Sequence, residues 1–228
     1  MPRAALSLGA LALVGGLALA GCAGSARLTP PPPGDGGGST SAAPERTGTP
    51  RAAELVLEAE RFAILDEEGS VLAEHAWTED PSAAIDALAG AIGTEAEVEA
   101  HEPEHADDPS GTEYHWPGLE VRVSDFENDP PMWTNWKIHV DAERVGELLV
   151  VGPRGEHVGQ TGAELECLGG IDPFEADGGL AALCLLEDAP VAGAPGSFRY
   201  VQSLLGSSGD VDGLRVERLI APTENYGP

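Results

Sequence analysis

His101-Glu102-Pro103-Glu104-His105 spells the H-E-x-x-H pattern. On a helix that spacing sets two imidazoles one turn apart around a metal ion, with the glutamate activating the bound water. Pro103 sits in the middle, where it removes a backbone donor and clashes with the preceding turn. The flanking Glu99, Ala100, Ala106, Asp107 and Asp108 offer no apolar face on which such a helix would pack. The pattern therefore does not predict a metalloprotease. A looser chelate survives. His101, His105 and His115 are half of the 6 histidines and stand among Glu102, Glu104, Asp107, Asp108 and Glu113. Neutral imidazoles and carboxylates hold divalent ions without a helix. The competing reading is a solvated loop whose like charges repel.

A second cluster is aromatic. Trp116, Trp133 and Trp136 flank the Asn128-Asp129-Pro130-Pro131 turn. Exposed indoles anchor partner proteins or stack on sugars. Trp136 opens an alternating strand and is expected to pack inward, which leaves Trp133 and Trp116 as the partner-binding candidates. Catalytic signatures do not emerge. There is no G-x-S-x-G elbow and no S-x-x-K. The single lysine, Lys137, follows Trp136, so no phosphate-binding G-K-[ST] loop exists. Asp210 and Asp212 before Gly213 echo a calcium loop, but Leu219 stands where its closing glutamate is required. The expectation is a non-enzymatic protein without a cofactor, binding another protein or an envelope component. Binding of a metal ion or small ligand is the alternative, and an uncatalogued hydrolase ranks last.

The N-terminus bears on location. Met1-Pro2-Arg3 is followed by an uncharged apolar run, Ala4 to Ala20, the layout of a signal peptide. Leu19-Ala20-Gly21-Cys22 at its end resembles the lipobox of bacterial lipoproteins. The resemblance covers about the first tenth of the chain. It implies that residues 1–21 are removed, that Cys22 carries the lipid, and that the protein sits on the extracytoplasmic face of the cell membrane. Two or more acyl chains anchor stably where one does so only marginally. Residues 22–53 hold Pro30-Pro31-Pro32-Pro33, a glycine run and a Ser/Thr/Ala stretch. They read as a tether unable to build a core.

Charge narrows the partners. The chain carries 39 acidic and 12 basic residues, a formal net charge of −27. Phosphate backbones demand clustered Lys and Arg, so nucleic acid is not an expected partner. Anionic headgroups would be repelled, so attachment to the membrane falls to the lipid. One lysine beside 30 glycines and 19 prolines fits a GC-rich bacterial coding sequence. Setting Cys22 aside leaves Cys167 and Cys184, and an oxidising compartment permits them to form a disulfide. Two buried thiols are the other reading.

The elements that position these residues read as one acidic α+β domain over residues 54–228. Leu55 to Asp66 and Val71 to Trp77 make a hairpin through Glu67-Glu68-Gly69. A helix follows, with Asp80 as N-cap, Pro81 in the first turn and Gly93 as the stop. Ile85, Leu88, Ala89 and Ile92 give it one apolar face. Glu95 to Ala100 reads as a short strand. Leu119, Val121 and Val123 alternate with Glu120, Arg122 and Ser124, and Trp136, Ile138 and Val140 alternate with Lys137, His139 and Asp141. Val145 to Val151 is a further strand. Thr161 and Glu164 form a capping box that predicts a second short helix through Leu168, ended by Gly169-Gly170. Leu180 to Leu186, Phe198 to Leu205 and Leu214 to Ala221 complete an antiparallel sheet. The two halves read as helix–sheet pseudo-repeats, an order that resembles the β-lactamase-inhibitor-protein type of secreted module.

Overall fold

The structure is a computed structural model, and it describes residues 50–103, 109–125, 134–176, 179–208 and 213–225. Cys22, His105 and Trp133 lie outside the described residues, as do the expected signal peptide and nearly all of the expected tether. The first strand begins at Ala52, so the far end of that tether runs two residues into the folded part.

Thirteen strands are described: β1 Ala52–Leu57, β2 Arg61–Asp66, β3 Val71–Ala76, β4 Glu97–His101, β5 Gly111–Trp116, β6 Leu119–Ser124, β7 Trp136–Val140, β8 Arg144–Val145, β9 Leu148–Val151, β10 Leu168–Ala176, β11 Gly179–Pro190, β12 Phe198–Ser208 and β13 Arg215–Asn225. One α-helix, α1, spans Pro81–Ile92. The strands form a five-stranded sheet in the order β3-β2-β1-β9-β8 and an eight-stranded sheet in the order β10-β11-β12-β13-β7-β6-β5-β4. Pairing is antiparallel except between β1 and β9, where Leu55 lies opposite Val150.

Alternation explains the layering. Leu55 and Leu57 of β1, Phe62 and Ile64 of β2, Leu119 and Val121 of β6, Trp136, Ile138 and Val140 of β7, and Leu219 and Ala221 of β13 are buried in one shared core. With a side-chain period of two, the intervening residues of β6 and β7 point to the opposite face. The β2–β3 turn follows its sequence signal. Gly69 takes φ +77° and its amide donates to the Asp66 carbonyl at 3.0 Å. Asp66 Oδ1 accepts from the Glu68 and Ser70 amides at 3.0 and 2.8 Å, fixing the loop from inside.

Helix α1 matches its expected punctuation. Asp80 accepts from the Ser82 amide, Pro81 opens the helix, and Gly93 closes it at φ +84°. Ala84 and Leu88 are fully buried, and burying a leucine stabilises by about 2 kcal/mol. Two indoles hold the ends of the helix. Trp136 Nε1 donates to the Glu79 carbonyl just before the N-cap at 3.1 Å. Trp116 Nε1 donates to the Thr94 carbonyl just after the stop at 2.8 Å. Trp77 packs edge-on against Trp136 with centroids 4.8 Å apart, and Phe62 meets Trp136 at 6.1 Å. This aromatic cluster joins residues of the two sheets.

The fold corrects the expectation of an α+β domain with two short helices and two pseudo-repeats. The protein is mostly β, with two sheets of unequal size and one α-helix among the described residues. The capping box at Thr161 and Glu164 does form, but it caps a single 3-10 turn, Gly162–Glu164. Leu165 is already extended. Helix nucleation is costly, and one turn offers too little to offset it. Cys167, two residues on, is bonded to Cys184 of β11, and the chain is drawn into β10. Gly169 and Gly170 do not end a helix. They take φ +74° and +93° at the irregular start of β10.

Candidate functional site

The face of the eight-stranded sheet opposite the core carries the polar residues of β4 to β7. Register places Glu113 of β5 beside Arg122 of β6, and His115 beside Glu120. It also places Glu120 beside His139 of β7, and Arg122 beside Lys137. Each strand contributes positions two apart, so these side chains share one face. Three histidines, two glutamates and an arginine result, all half-buried or nearly buried.

Two carboxylates organise the cluster. Glu113 Oε1 lies 3.0 Å from His101 Nδ1 and 2.7 Å from Arg122 Nη2, while its Oε2 faces His115 Nε2 at 3.3 Å. Glu120 Oε1 lies 3.3 Å from His139 Nδ1 and 3.5 Å from Arg122 Nη2, and its Oε2 is 3.9 Å from His115 Nδ1. His115 thus stands between both carboxylates. His115 Nε2, Glu120 Oε1 and Arg122 Nε are all cut off from solvent without a properly aligned partner. Buried polar atoms are normally satisfied, so three orphans in one cluster call for an explanation.

Electrostatics fix the protonation states. Contact with His139 is the largest influence holding the Glu120 carboxyl down at about 2, with Arg122 and His115 assisting against its burial. Burial pushes the His139 imidazole below its ordinary value, outweighing the pull of Glu120. At neutral pH Glu120 is therefore ionised and His139 neutral, the forms that ligate metals. One donor atom each from Glu113, His115 and Glu120 lies within 4.8 Å of the others.

Of the expected metal ligands, His101 and His115 do meet, through Glu113, although fourteen residues separate them in the chain. His101 ends β4 rather than standing on a helix. Glu120, Arg122 and His139 join them and were not among the candidates. Polar residues alternating on two consecutive strands read equally well as a solvated face, and only register brings them against Glu113 and His115. Trp116, the second partner-binding candidate, is a core residue, 4% exposed and committed to Thr94. Its side chain offers no surface to a partner.

No family model matches the sequence, and no curated protein matches it. Among solved structures, the uncharacterized protein yfeY from Escherichia coli is similar at a TM-score of 0.35 and 13% identity, over 60% of this chain and 87% of that one. A likeness of that depth assigns neither a fold family nor a function. No helix among the described residues is long and apolar enough to cross a membrane.

Proposed function

We propose that this chain is a lipid-anchored, extracytoplasmic binding protein that holds one divalent transition-metal ion on its eight-stranded sheet. The convergence of Glu113, His115 and Glu120 within 4.8 Å carries the reading. An imidazole between two carboxylates suits zinc, copper(II) or nickel better than magnesium or calcium, which prefer oxygen ligands throughout. Arg122 and His101 engage Glu113 Oε1 and leave Oε2 turned toward His115. They act as orienting partners of the kind that ligating carboxylates require. The lipobox resemblance at Cys22 supports the location.

Zinc titration of the chelator-treated full chain, followed by calorimetry and thermal unfolding, tests this. The expected result is one equivalent bound at about micromolar affinity, stabilising by about 2–3 kcal/mol when zinc is in hundredfold excess over its dissociation constant. His115→Ala should weaken binding by ten-fold or more while keeping the far-ultraviolet spectrum. An identical response in the variant, or none in the parent, rejects the proposal.

A protein- or envelope-binding role is the second reading. Its support is that, among the described residues, the exposed large apolar side chains all lie on edge strands: Val71 and Leu72 on β3, Val98 on β4, Leu168 and Phe174 on β10. Unpaired sheet edges are where other chains add strands. Cross-linked pull-down from intact cells, with Trp133→Ala alongside, distinguishes it. A discrete partner lost in the variant supports it, and the same background in both rejects it.

A further inference from the structure

The sheet face that carries the histidine cluster changes character across β13. Toward β4 it is polar, and toward β10 it is apolar. On β11, Ala182, Cys184 and Leu186 are buried in the core, and a side-chain period of two turns Leu183 and Leu185 to the opposite face. Leu204 of β12 lies across from Leu183, and Ile220 of β13 across from Gln202, on that same outer face. These four apolar side chains are half-buried, and Phe174 of β10 is exposed at their margin. A sheet with one solvated face normally alternates apolar inward with polar outward, and β11 does not. The five-stranded sheet and α1 both pack into the core, on the other side.

Register gives this patch a charge at each end. Asp172 of β10 lies opposite Leu183, Leu183 opposite Leu204, and Leu204 opposite Arg218 of β13. One row across four strands thus reads acid, leucine, leucine, base. Arg218 shares the outer face with His139, whose imidazole it helps to hold below its ordinary value. A two-fold axis running along the strands between β11 and β12 turns that row end for end. It sets each Asp172 over Arg218 of the other copy, with the leucines packed between them. The row is therefore complementary to itself, as an isologous interface requires. The same operation fits aligned packing of two sheets, about 10 Å apart and with strands within about 30°. In a chain of net charge −27, a patch whose two charges balance admits a second copy without setting like charges against each other at the contact.

We infer that this half of the sheet face is a dimer surface, occupied by a second copy of the chain. A four-stranded contact is small for a permanent interface, so the dimer is weak and reversible, with a dissociation constant of about 10–100 μM. Repulsion between the two acidic bodies acts at long range and is screened by salt, so the dimer should tighten as salt rises. With the axis between β11 and β12, β7 and the strands beyond it lie past the second copy's β10. Glu113, His115 and Glu120 stay uncovered, and the inference is independent of metal binding.

The test is sedimentation of the full chain carrying Cys22→Ala, which excludes association through lipid, in a chelator and at about 0.5 M salt. This background is expected to pass from monomer to dimer between about 10 and about 300 μM. Adding Arg218→Asp or Asp172→Arg should weaken the dimer by about ten-fold or more, because each sets like charges face to face. Mixing these two variants in equal amounts should restore dimer to within about three-fold of the background, because each supplies the charge the other lacks. That pattern supports the inference. A background that stays monomeric overturns it, including one that instead binds neutral phosphatidylcholine vesicles, which would assign the face to lipid. A dimer indifferent to both variants overturns it as well, as do folded variants that fail to pair with each other. Should either variant lose its far-ultraviolet spectrum, Leu204→Lys decides instead: loss of the dimer supports the inference, and an unchanged dimer overturns it.

Discussion

Replacing Glu120 with glutamine should change the shape of the protein's stability curve against pH. The Glu120 carboxyl is held at about 2 in the fold against 4.5 for an unconstrained glutamate. At 1.36 kcal/mol for each tenfold change in acidity, the whole displacement corresponds to about 3 kcal/mol. A quarter of the side chain remains in water (25% exposed), and screening there reduces the effective contribution to about 1–2 kcal/mol. The sign follows from which state takes the proton first. As pH falls, the unfolded chain protonates near 4.5 while the folded one does not until about 2. The stabilisation is therefore complete above about pH 5, declines between there and about pH 2, and is absent below. His139 adds to the same trend at higher pH. Its folded value is depressed by burial, so the unfolded chain protonates first below about pH 6.5 and stability already begins to fall. That part should persist in Glu120→Gln, where nothing remains to raise His139. The assay is urea unfolding followed by tryptophan fluorescence, in a chelator, at steps between about pH 3 and pH 8. The parent-minus-variant difference should be about 1–2 kcal/mol near pH 5–6 and fall by about half by about pH 3, on its way to zero below about 2. A difference that stays flat or grows between about pH 5 and about pH 3, where Glu120 itself titrates, refutes the electrostatic account of the site.

Reduction of the Cys167–Cys184 bond, which closes a separation of 17 residues, should lower unfolding stability by about 3 kcal/mol. Urea midpoints with and without reductant measure it, and an unchanged midpoint would mean the unfolded chain gains no freedom from its loss. Cys22→Ala should move the protein from the membrane fraction to the soluble or secreted fraction of the producing cell. Equal membrane recovery of parent and variant would reject lipid anchoring at that residue.

What the sequence disclosed is uneven, for physical reasons. Helix α1 was legible because Asp80, Pro81 and Gly93 are local signals that act within one turn, and the structure uses all three. The β2–β3 hairpin was legible through Gly69 for the same reason. Leu55 to Asp66 reads as one strand but folds as β1 and β2. The bend at Glu58-Ala59-Glu60 contains neither glycine nor proline, and it is closed by the Glu58 amide donating to the Arg61 carbonyl at 2.9 Å. The second helix was misread because a good cap was present without enough helix to cap. Partition into two sheets depends on β1 pairing with β9, nearly a hundred residues away, and alternation within either strand says nothing of that. The site was half legible. Residue chemistry singled out His101 and His115, but it took four strands in register to add Glu120, Arg122 and His139.

β13 is the last of the described strands along the chain, yet it sits in the interior of the eight-stranded sheet, between β12 and β7. Everything on one side of it comes from β4 to β7, and everything on the other from β10 to β12. Until residues 215–225 have been made and delivered, the two halves have no ladder to share, and the core faces of β7 and β12 stand open. The order of synthesis therefore cannot be the order of folding. Closing the larger sheet is therefore a slow, late search among distant strands. Stop codons or proteolysis just before Arg215 should yield two half-sheets with exposed edges rather than a slightly shorter version of the same protein.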